Sequence, residues 1–266
     1  MTSKQASAEV RVLAILQART SSSRLPGKVL REVAGRPMIV RQLERIGRAR
    51  LLDRIVVATS VDPFDDELAR TVEASGVTVF RGDLDDVLDR FAQAASRNPS
   101  QHVVRLTGDC PLTDPDVIDA VVAHHLVGGA DISSNSHQPT FPDGLDVEIV
   151  RAFRLHEAAA EASLKLEREH VTQFFYRRPE RFRIAHYKAD HDLSALRWTV
   201  DEPDDLALVR AIYDSLLPGT PDFRMHDILA LLDARPELSS INGRFARNEG
   251  LARSIRAELG TQAVGG

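Results

Sequence analysis

Apolar positions along the chain alternate between short runs and longer segments of helical period. From Val10 onward, runs rich in Val, Ile and Leu are each followed by a polar loop and an amphipathic stretch. Short apolar runs that alternate with helical patterns are typical of a mostly parallel sheet covered by helices. The sequence therefore predicts an α/β fold.

The individual elements follow from the same pattern. Strands are predicted at 10–16, 54–59, 77–81, 102–107, 130–134, 145–150, 182–188 and 196–200. Helices are predicted from about residue 37, at 64–75, 85–97 and 115–127, one or two within 151–176, and at 203–217. We expect a main domain over 10–240, a disordered N-terminus at 1–9, and a helix with a frayed tail over 241–266.

The charge balance limits the classes of partner. The 266 residues carry 34 Lys and Arg against 39 Asp and Glu, a formal charge of −5. Such a chain has no general basic field for a nucleic acid polymer, and an aromatic content of 5% argues against base-stacking platforms. Any anion that binds must be held by locally placed cations.

Cysteine content and hydropathy suggest where the protein works. Cys110 is the single cysteine, which excludes an intrachain disulfide framework and a zinc site built from several thiolates. No apolar run approaches the roughly 18 residues of a membrane span. Glu9 and Arg11 stand where a signal peptide needs its apolar run. We therefore expect a cytoplasmic protein with no membrane partner.

The loop Gln17 to Lys28, which follows the first strand, has the composition of a phosphate-binding loop. It contains three cations, Arg19, Arg24 and Lys28, small hydroxyl residues and Gly27, but no Asp or Glu. Backbone N–H groups and cations in such a loop can converge on an anion at the carboxyl end of a strand. The alternative is a solvated Ser-rich surface loop, and the position after the first strand favours phosphate binding.

This loop is the first of several motifs that occur in the order of a known family. The motifs are Arg19 to Lys28 followed by Val29-Leu30 and Gly35-Arg36-Pro37-Met38, Ala58-Thr59-Ser60 with Asp65-Asp66, Arg81-Gly82 with Asp86-Val87-Leu88, Thr107 to Leu112, Gly144 to Glu148, Arg168 to Thr172, and Arg197 to Asp201. Together they resemble sugar nucleotidyltransferases, most closely cytidylyltransferases such as CMP-Kdo and CMP-sialic acid synthetases. The nearest branch is the one labelled spore-coat polysaccharide biosynthesis protein F. The resemblance implies a Rossmann-like three-layer α/β/α nucleotidyltransferase fold with a mostly parallel mixed sheet.

The resemblance also implies roles for individual residues. Asp109 and Asp201 would hold Mg²⁺, a hard ion that prefers carboxylate and phosphate oxygens. From the residues alone, Asp109 could instead stabilise the turn before Pro111, and Asp201 could cap the helix that begins at Pro203. The predicted catalytic residues are Arg19, Lys28, Asp109 and Asp201. The predicted nucleotide-binding residues are Ala18, Arg19, Ser23, Arg24, Lys28, Thr107 and Asp109.

Candidate contacts to the acceptor substrate lie later in the chain. They are Asn135, Asp146, Glu148, Arg168 and His170, with Thr140 and Phe141 as further loop contacts. If 145–150 is a strand, the Asp146 and Glu148 carboxylates point the same way. They could bind a second metal or the acceptor, or face solvent, and a lone His170 on a helix could be structural. Cys110 is read as a turn residue, because no base stands near it.

The resulting hypothesis is a cytidylyltransferase that moves CMP from CTP to a sugar acid or phosphorylated small molecule and releases pyrophosphate. A glycosyltransferase that uses a nucleotide sugar, and a noncatalytic nucleotide-binding protein, remain alternatives. The resemblance further suggests a homodimer, with an insertion at about 136–190 that serves acceptor binding and dimerisation.

Overall fold

A computed structural model describes residues 10–245 and 247, which form an α/β sheet covered by helices. The strands are β1 Val12–Gln17, β2 Glu32–Val33, β3 Arg36–Pro37, β4 Arg54–Ser60, β5 Thr78–Gly82, β6 His102–Thr107, β7 Ile132–Ser134, β8 Glu148–Arg151 and β9 Ile184–His186. The helices are α1 Met38–Ile46, α2 Asp66–Ala74, α3 Val87–Arg97, α4 Pro115–Gly128, α5 Ala152–Glu161, α6 Lys165–His170, α7 Gln173–Tyr176, α8 Pro203–Leu216, α9 Met225–Ala234 and α10 Pro236–Ser239.

The main sheet is mixed and mostly parallel, as predicted. Its order is β5-β4-β1-β6-β8-β7-β9, and β2 pairs with β3 in a separate hairpin. Strands β5, β4, β1 and β6 are parallel, whereas β8 runs antiparallel between β6 and β7. In the register of β1, Gln17 lies beside Ala58 of β4 and Thr107 of β6. The loops that follow these three strands therefore leave the same edge of the sheet.

Helices bury both faces of the sheet because successive strand residues point to opposite sides. In β1, Ala14 and Leu16 join the cluster under α1, α2, α4 and α8, whereas Leu13 and Ile15 join the cluster under α3, α5 and α7. This arrangement gives the three layers that the resemblance implied.

Several element predictions were wrong in detail. Residues 196–200 are not a strand: they form one isolated bridge, between Arg197 and Asp143, because their backbone is divided between two loops. Residues 151–176 hold three helices rather than one or two, and the helix predicted from 64 begins with a 3-10 turn. Helices α9 and α10 and the β2–β3 hairpin were not predicted.

The predicted domain limits remain predictions. Within 136–190, strands β8 and β9 belong to the main sheet. Residues 1–9 and most of the predicted C-terminal helix and tail lie outside the described residues. Among residues that the structure describes, no helix has both the length and the apolar character needed to cross a membrane.

Candidate active site

The crevice forms where the loops after β1, β4 and β6 meet. The backbone N–H of Ala18 donates to Ala58 O at 3.2 Å, and that of Gly108 donates to Gln17 O at 2.8 Å. A Cβ atom at Gly108 would lie 2.8 Å from the Ala18 Cβ. Glycine at 108 is therefore what lets the first loop approach the end of β6, next to Thr107.

Asp65 anchors the first loop to the end of β4. Its Oδ1 accepts bonds from both the backbone N–H and the hydroxyl of Thr20, each at 2.8 Å. Its Oδ2 accepts from the backbone N–H and hydroxyl of Ser60. Burial alone would raise the pKa of Asp65, but these hydrogen bonds outweigh it and hold the pKa below its usual value. A buried carboxylate thus fixes the entry to the loop.

The end of the loop turns Lys28 inward. Gly27 has a φ of 66°, in the left-handed region that glycine adopts at least cost, and its N–H donates to Thr20 O at 3.0 Å. The following 3-10 turn buries Lys28, whereas Arg19 and Ser23 stay exposed. Within the described residues Arg19 makes no ion pair, so its guanidinium is available to an anion.

Lys28 brings the two predicted metal-binding carboxylates together. Its Nζ lies 3.3 Å from Asp109 Oδ2 and 2.8 Å from Asp201 Oδ1, and it also donates to Val200 O at 2.8 Å. The side chain of Lys28 is 10% exposed, and those of Asp109 and Asp201 are 30% and 20% exposed. The Lys28 ammonium therefore contacts both carboxylates at the floor of the crevice.

Backbone contacts hold the two carboxylates in place. The carbonyl oxygen of Asp109 accepts from the Val200 N–H at 2.7 Å and from the Thr199 hydroxyl at 3.2 Å. The Asp201 N–H donates to Asp205 Oδ2 at 2.9 Å. Asp201 does not cap α8, because Glu202 is the N-cap and Asp205 completes the capping box. The alternative reading of Asp201 as a helix cap is therefore wrong.

The charges at this point stabilise one another. Burial raises the pKa of Asp109, but the Lys28 ammonium and hydrogen bonds from Thr107 and Cys110 outweigh it and lower the pKa to about 2. Burial lowers the pKa of Lys28, and the two carboxylates more than reverse this, so its pKa is raised. Asp109 and Lys28 are therefore both charged near neutral pH.

Two arginines surround Asp201. Arg24 Nη2 lies 2.9 Å from Asp201 Oδ2, and its Nη1 lies 3.2 Å from Glu202 Oε1. Arg197 Nη2 lies 3.4 Å from Asp201 and 2.9 Å from Asp205. The first loop has no acidic residue of its own, yet its cations Arg24 and Lys28 meet carboxylates from distant parts of the chain.

Asp146 lies close enough to Asp109 for their charges to interact. It precedes β8, and its side chain is 23% exposed and paired with the Arg247 guanidinium. Burial raises its pKa to about 7, Arg247 opposes this shift, and Asp143, Glu148 and Asp109 add to it. Burial, followed by the charges of Asp109, Asp146 and Asp143, raises the pKa of the Cys110 thiol, in agreement with its prediction as a turn residue.

Three predicted acceptor contacts instead bond other groups of the protein. Asn135 is 0% exposed and bonds the backbone of Leu145 and Val147 through its side-chain amide. Glu148 is buried, where it accepts from Arg105, Thr172 and Tyr176. Arg168 donates to Asp86 at the start of α3 and to Ala159 O. The polar atoms of these three side chains are therefore bonded to other groups of the protein.

The two further loop contacts also bond or pack against other groups of the protein. The Thr140 hydroxyl accepts from the Ala189 N–H at 2.8 Å, and Phe141 is 4% exposed and stacked on Tyr187. Asp146 and Glu148 do not act as a pair on one strand, since only Glu148 lies in β8.

His170 lies close enough to Arg19 of the first loop and to Glu148 for their charges to act on it. Burial lowers its pKa, Glu169 opposes this, and Arg105 and Arg19 lower it further. The next residue, Val171, has a φ of 45°, which is rare for a β-branched residue and stores strain. This backbone bend directs the Thr172 hydroxyl toward Glu148, 3.1 Å away.

The sequence reasoning assigned no role to Asp65, Asp143 or Asp205. Asp65 and Asp143 flank or belong to motifs quoted above, and Asp205 follows Asp201 by one helical turn. Burial raises the pKa of Asp143 to about 6, with Arg247 and Arg197 opposing. The spacing of these residues was a usable signal, but only the fold shows what each one contacts.

The donor atoms at Asp109 and Asp201 fit a hard divalent cation. Both are carboxylates that already converge on one ammonium group, and both are partly exposed to the crevice. No cluster of three or more His, Cys, Asp or Glu suited to a metal occurs in the described residues. A metal here would need further oxygen ligands from a substrate, as Mg²⁺ commonly takes from phosphates.

Comparisons with known proteins identify the family. The family model described as cytidylyltransferase matches residues 13–208. The spore coat polysaccharide biosynthesis protein SpsF of Bacillus subtilis is 30% identical over 86% of this chain and 97% of its own. The 3-deoxy-manno-octulosonate cytidylyltransferase of Geobacter sulfurreducens is 40% identical over 42% of this chain and 44% of its own.

A solved structure extends the likeness to the fold. A cytidylyltransferase from Leptospira borgpetersenii matches with a TM-score of 0.83 and 30% identity, over 90% of this chain and 99% of its own. The predicted fold and family are confirmed: the chain belongs to the cytidylyltransferase family and has the nucleotidyltransferase fold.

Proposed function

We propose that the protein is a Mg²⁺-dependent cytidylyltransferase, which moves CMP from CTP to a small anionic acceptor and releases pyrophosphate. The observation that carries the proposal is the convergence of Asp109 and Asp201 on Lys28, beside a loop that presents Arg19. Carboxylates and cations in one crevice suit a nucleoside triphosphate with its metal ion.

The reaction is a displacement at the α-phosphorus of CTP. An acceptor oxygen forms the new bond to phosphorus, and the bond to the β-phosphate oxygen breaks with its electron pair leaving on pyrophosphate. Arg19, Arg24 and Lys28 bind phosphate oxygens and orient the chain in line with the acceptor. Ala18, Ser23 and Thr107 line the nucleotide side. An acceptor phosphate or phosphonate oxygen is already ionised and needs no general base, whereas a sugar hydroxyl needs a base to take its proton.

Asp109 and Asp201 would hold Mg²⁺, which when bound supplies positive charge to the phosphate oxygens. Lys28, whose single positive charge offsets part of the charge of the two carboxylates, would contribute its ammonium to binding the triphosphate. On the acceptor side, Asp146 and His170 are the residues that we assign to the acceptor.

The relatives support the class of acceptor. One is named a 3-deoxy-manno-octulosonate cytidylyltransferase and another a spore coat polysaccharide biosynthesis protein, which favours a sugar acid or a related phosphorylated molecule. CTP is made in the cytoplasm, where we expect the protein to act. The homodimer remains a prediction.

A pyrophosphate-release screen tests the proposal. The four nucleoside triphosphates are each mixed with Mg²⁺ and with 3-deoxy-manno-octulosonate, N-acetylneuraminate, glucose 1-phosphate or glycerol 3-phosphate. We expect pyrophosphate with CTP and at least one acceptor. Release of a nucleoside diphosphate from a nucleotide sugar would identify a glycosyltransferase instead. CTP binding without turnover with any acceptor would favour the noncatalytic alternative.

A further inference from the structure

Residues beyond the span matched by the family model return to the crevice. Asn242 is 3% exposed, and its Nδ2 donates to Arg197 O at 3.0 Å and to Asp205 Oδ1 at 2.8 Å. The Arg197 guanidinium also lies over the Phe245 ring, 5.8 Å from its centre. Asn242 and Phe245 therefore attach this part of the chain to the residues that support Asp201.

Arg247 continues from this attachment to the acceptor side. Its side chain is 14% exposed, its Nη1 donates to Phe141 O at 2.9 Å, and its Nη2 bonds Asp146 Oδ1. One planar guanidinium thus links a backbone carbonyl and a carboxylate five positions apart, a geometry that a lysine ammonium does not reproduce.

The charges around Asp146 explain why a cation is needed there. Asp143, Glu148 and Asp109 all act on Asp146 and disfavour its negative charge, and Arg247 is the cation that opposes them. Arg247 also opposes the effect of burial on Asp143. Among the described residues, Arg247 Nε is buried and has no hydrogen-bond partner. The guanidinium therefore bonds Phe141 and Asp146 and leaves its own Nε donor without a partner in the described part of the chain.

We propose that Arg247 is a positioning residue for the acceptor half of the site, where it holds Asp146 and the 141–146 loop in the orientation that meets the acceptor. This inference rests on the proposed function for the identity of the site, and it adds to the site a residue that lies outside the family-matched span. Arg247 acts through Asp146, so it should affect the acceptor and not the nucleotide.

Arg244 offers a matched control. It lies three positions earlier, its side chain is 71% exposed, and it pairs with Asp204 at 2.6 Å. Arg247→Ala, Arg247→Lys and Arg244→Ala are compared in the pyrophosphate-release assay with CTP and the active acceptor. For Arg247→Ala we expect the acceptor KM to rise about tenfold or more, with the CTP KM within about twofold of the wild type. Arg247→Lys should be intermediate and Arg244→Ala unchanged.

Hydrogen exchange tests the positioning role without an acceptor. In the full chain with CTP and Mg²⁺, amides of 141–148 should exchange faster in Arg247→Ala than in the wild type and Arg244→Ala, while those of 18–28 stay unchanged. Unaltered exchange at 141–148 would overturn the proposal, whether or not any acceptor is turned over. So would an active Arg247→Ala enzyme whose acceptor KM is normal or whose CTP KM rises equally. An inactive wild type with normal CTP binding would instead refute the proposed function.

Discussion

The Nζ of Lys28 lies within 3.3 Å of one Asp109 oxygen and 2.8 Å of one Asp201 oxygen. These carboxylates come from the end of β6 and from the segment before α8, so the ammonium joins two distant parts of the chain. Its positive charge offsets the repulsion between two negative charges in a poorly solvated crevice.

Removal of the ammonium should therefore expose this repulsion. We expect Lys28→Met to lower the free energy of unfolding by about 2 kcal/mol without metal, less than for a fully buried pair because the carboxylates are partly exposed. Mg²⁺ should raise the melting temperature of Lys28→Met more than that of the wild type, and kcat should fall about 100-fold or more. Lys165→Met, at an exposed position of α6, is the control. Equal stabilisation of both proteins by Mg²⁺ would show that Mg²⁺ does not compete with the Lys28 ammonium for the two carboxylates.

Asp65 should affect how tightly the loop Gln17 to Lys28 binds CTP. Asp65→Asn places an amide donor against Thr20 and Ser60 donors, which should cost about 1–3 kcal/mol of stability and raise the KM for CTP several-fold. Thermal denaturation and pyrophosphate release measure the two effects. The neighbouring Asp66→Asn, at a side chain that is 51% exposed, should change neither. A normal CTP KM in a destabilised Asp65→Asn protein would show that Asp65 contributes to folding and not to CTP binding.

Acid should destabilise the protein through His125, a buried histidine that contacts the half-buried His102. His125 Nε2 lies 3.0 Å from His102 Nδ1, and its Nδ1 lies 2.8 Å from Ser133 Oγ. Burial, followed by the charges of His102 and Arg151, lowers the pKa of His125 from 6.5 to about 4. As the pH falls below 6.5, the His125 imidazole takes up a proton in the unfolded chain before it does so in the folded protein. The free energy of unfolding therefore falls between pH 6.5 and 4, by about 3 kcal/mol.

Urea unfolding across this pH range measures the loss. His125→Gln removes the titrating group and should flatten the pH dependence, whereas His226→Asn, at a side chain that is 77% exposed, should leave it intact. A pH dependence that survives His125→Gln would assign the effect to other groups.

The β2–β3 hairpin contains an unfavourable residue. Ala34 and Gly35 have φ values of 47° and 78°, as a type I′ turn requires. Ala34→Gly or Ala34→Asn should raise the free energy of unfolding by about 1 kcal/mol, because alanine is strained in this region. Ala207→Gly, at an exposed position inside α8, should lower it by about the same amount. A loss of stability in both Ala34 variants would contradict the assigned turn.

The sequence predicted the parallel strands well because their apolar runs are buried on both faces. The strand predicted at 196–200 was wrong, because the backbone of this apolar segment bonds two loops instead of one strand. Residue spacing does not show which partner a backbone segment bonds. Loop composition indicated Lys28, but Asp109 and Asp201 were identified only through motif order, because residues so far apart meet by folding. Asn135, Glu148 and Arg168 were taken for substrate contacts, since a polar residue in a motif gives no sign that its partner is another buried polar residue.

The most direct test of the account follows the α-phosphorus. With CTP radiolabelled there and the active acceptor, the wild type should transfer the label to the acceptor and release one unlabelled pyrophosphate for each product. Asp109→Asn and Asp201→Asn should each lower transfer about 100-fold or more and reduce Mg²⁺-dependent stabilisation by CTP, whereas the exposed Asp190→Asn should not. Undiminished transfer in Asp109→Asn and Asp201→Asn would contradict the central claim that these carboxylates form the metal site.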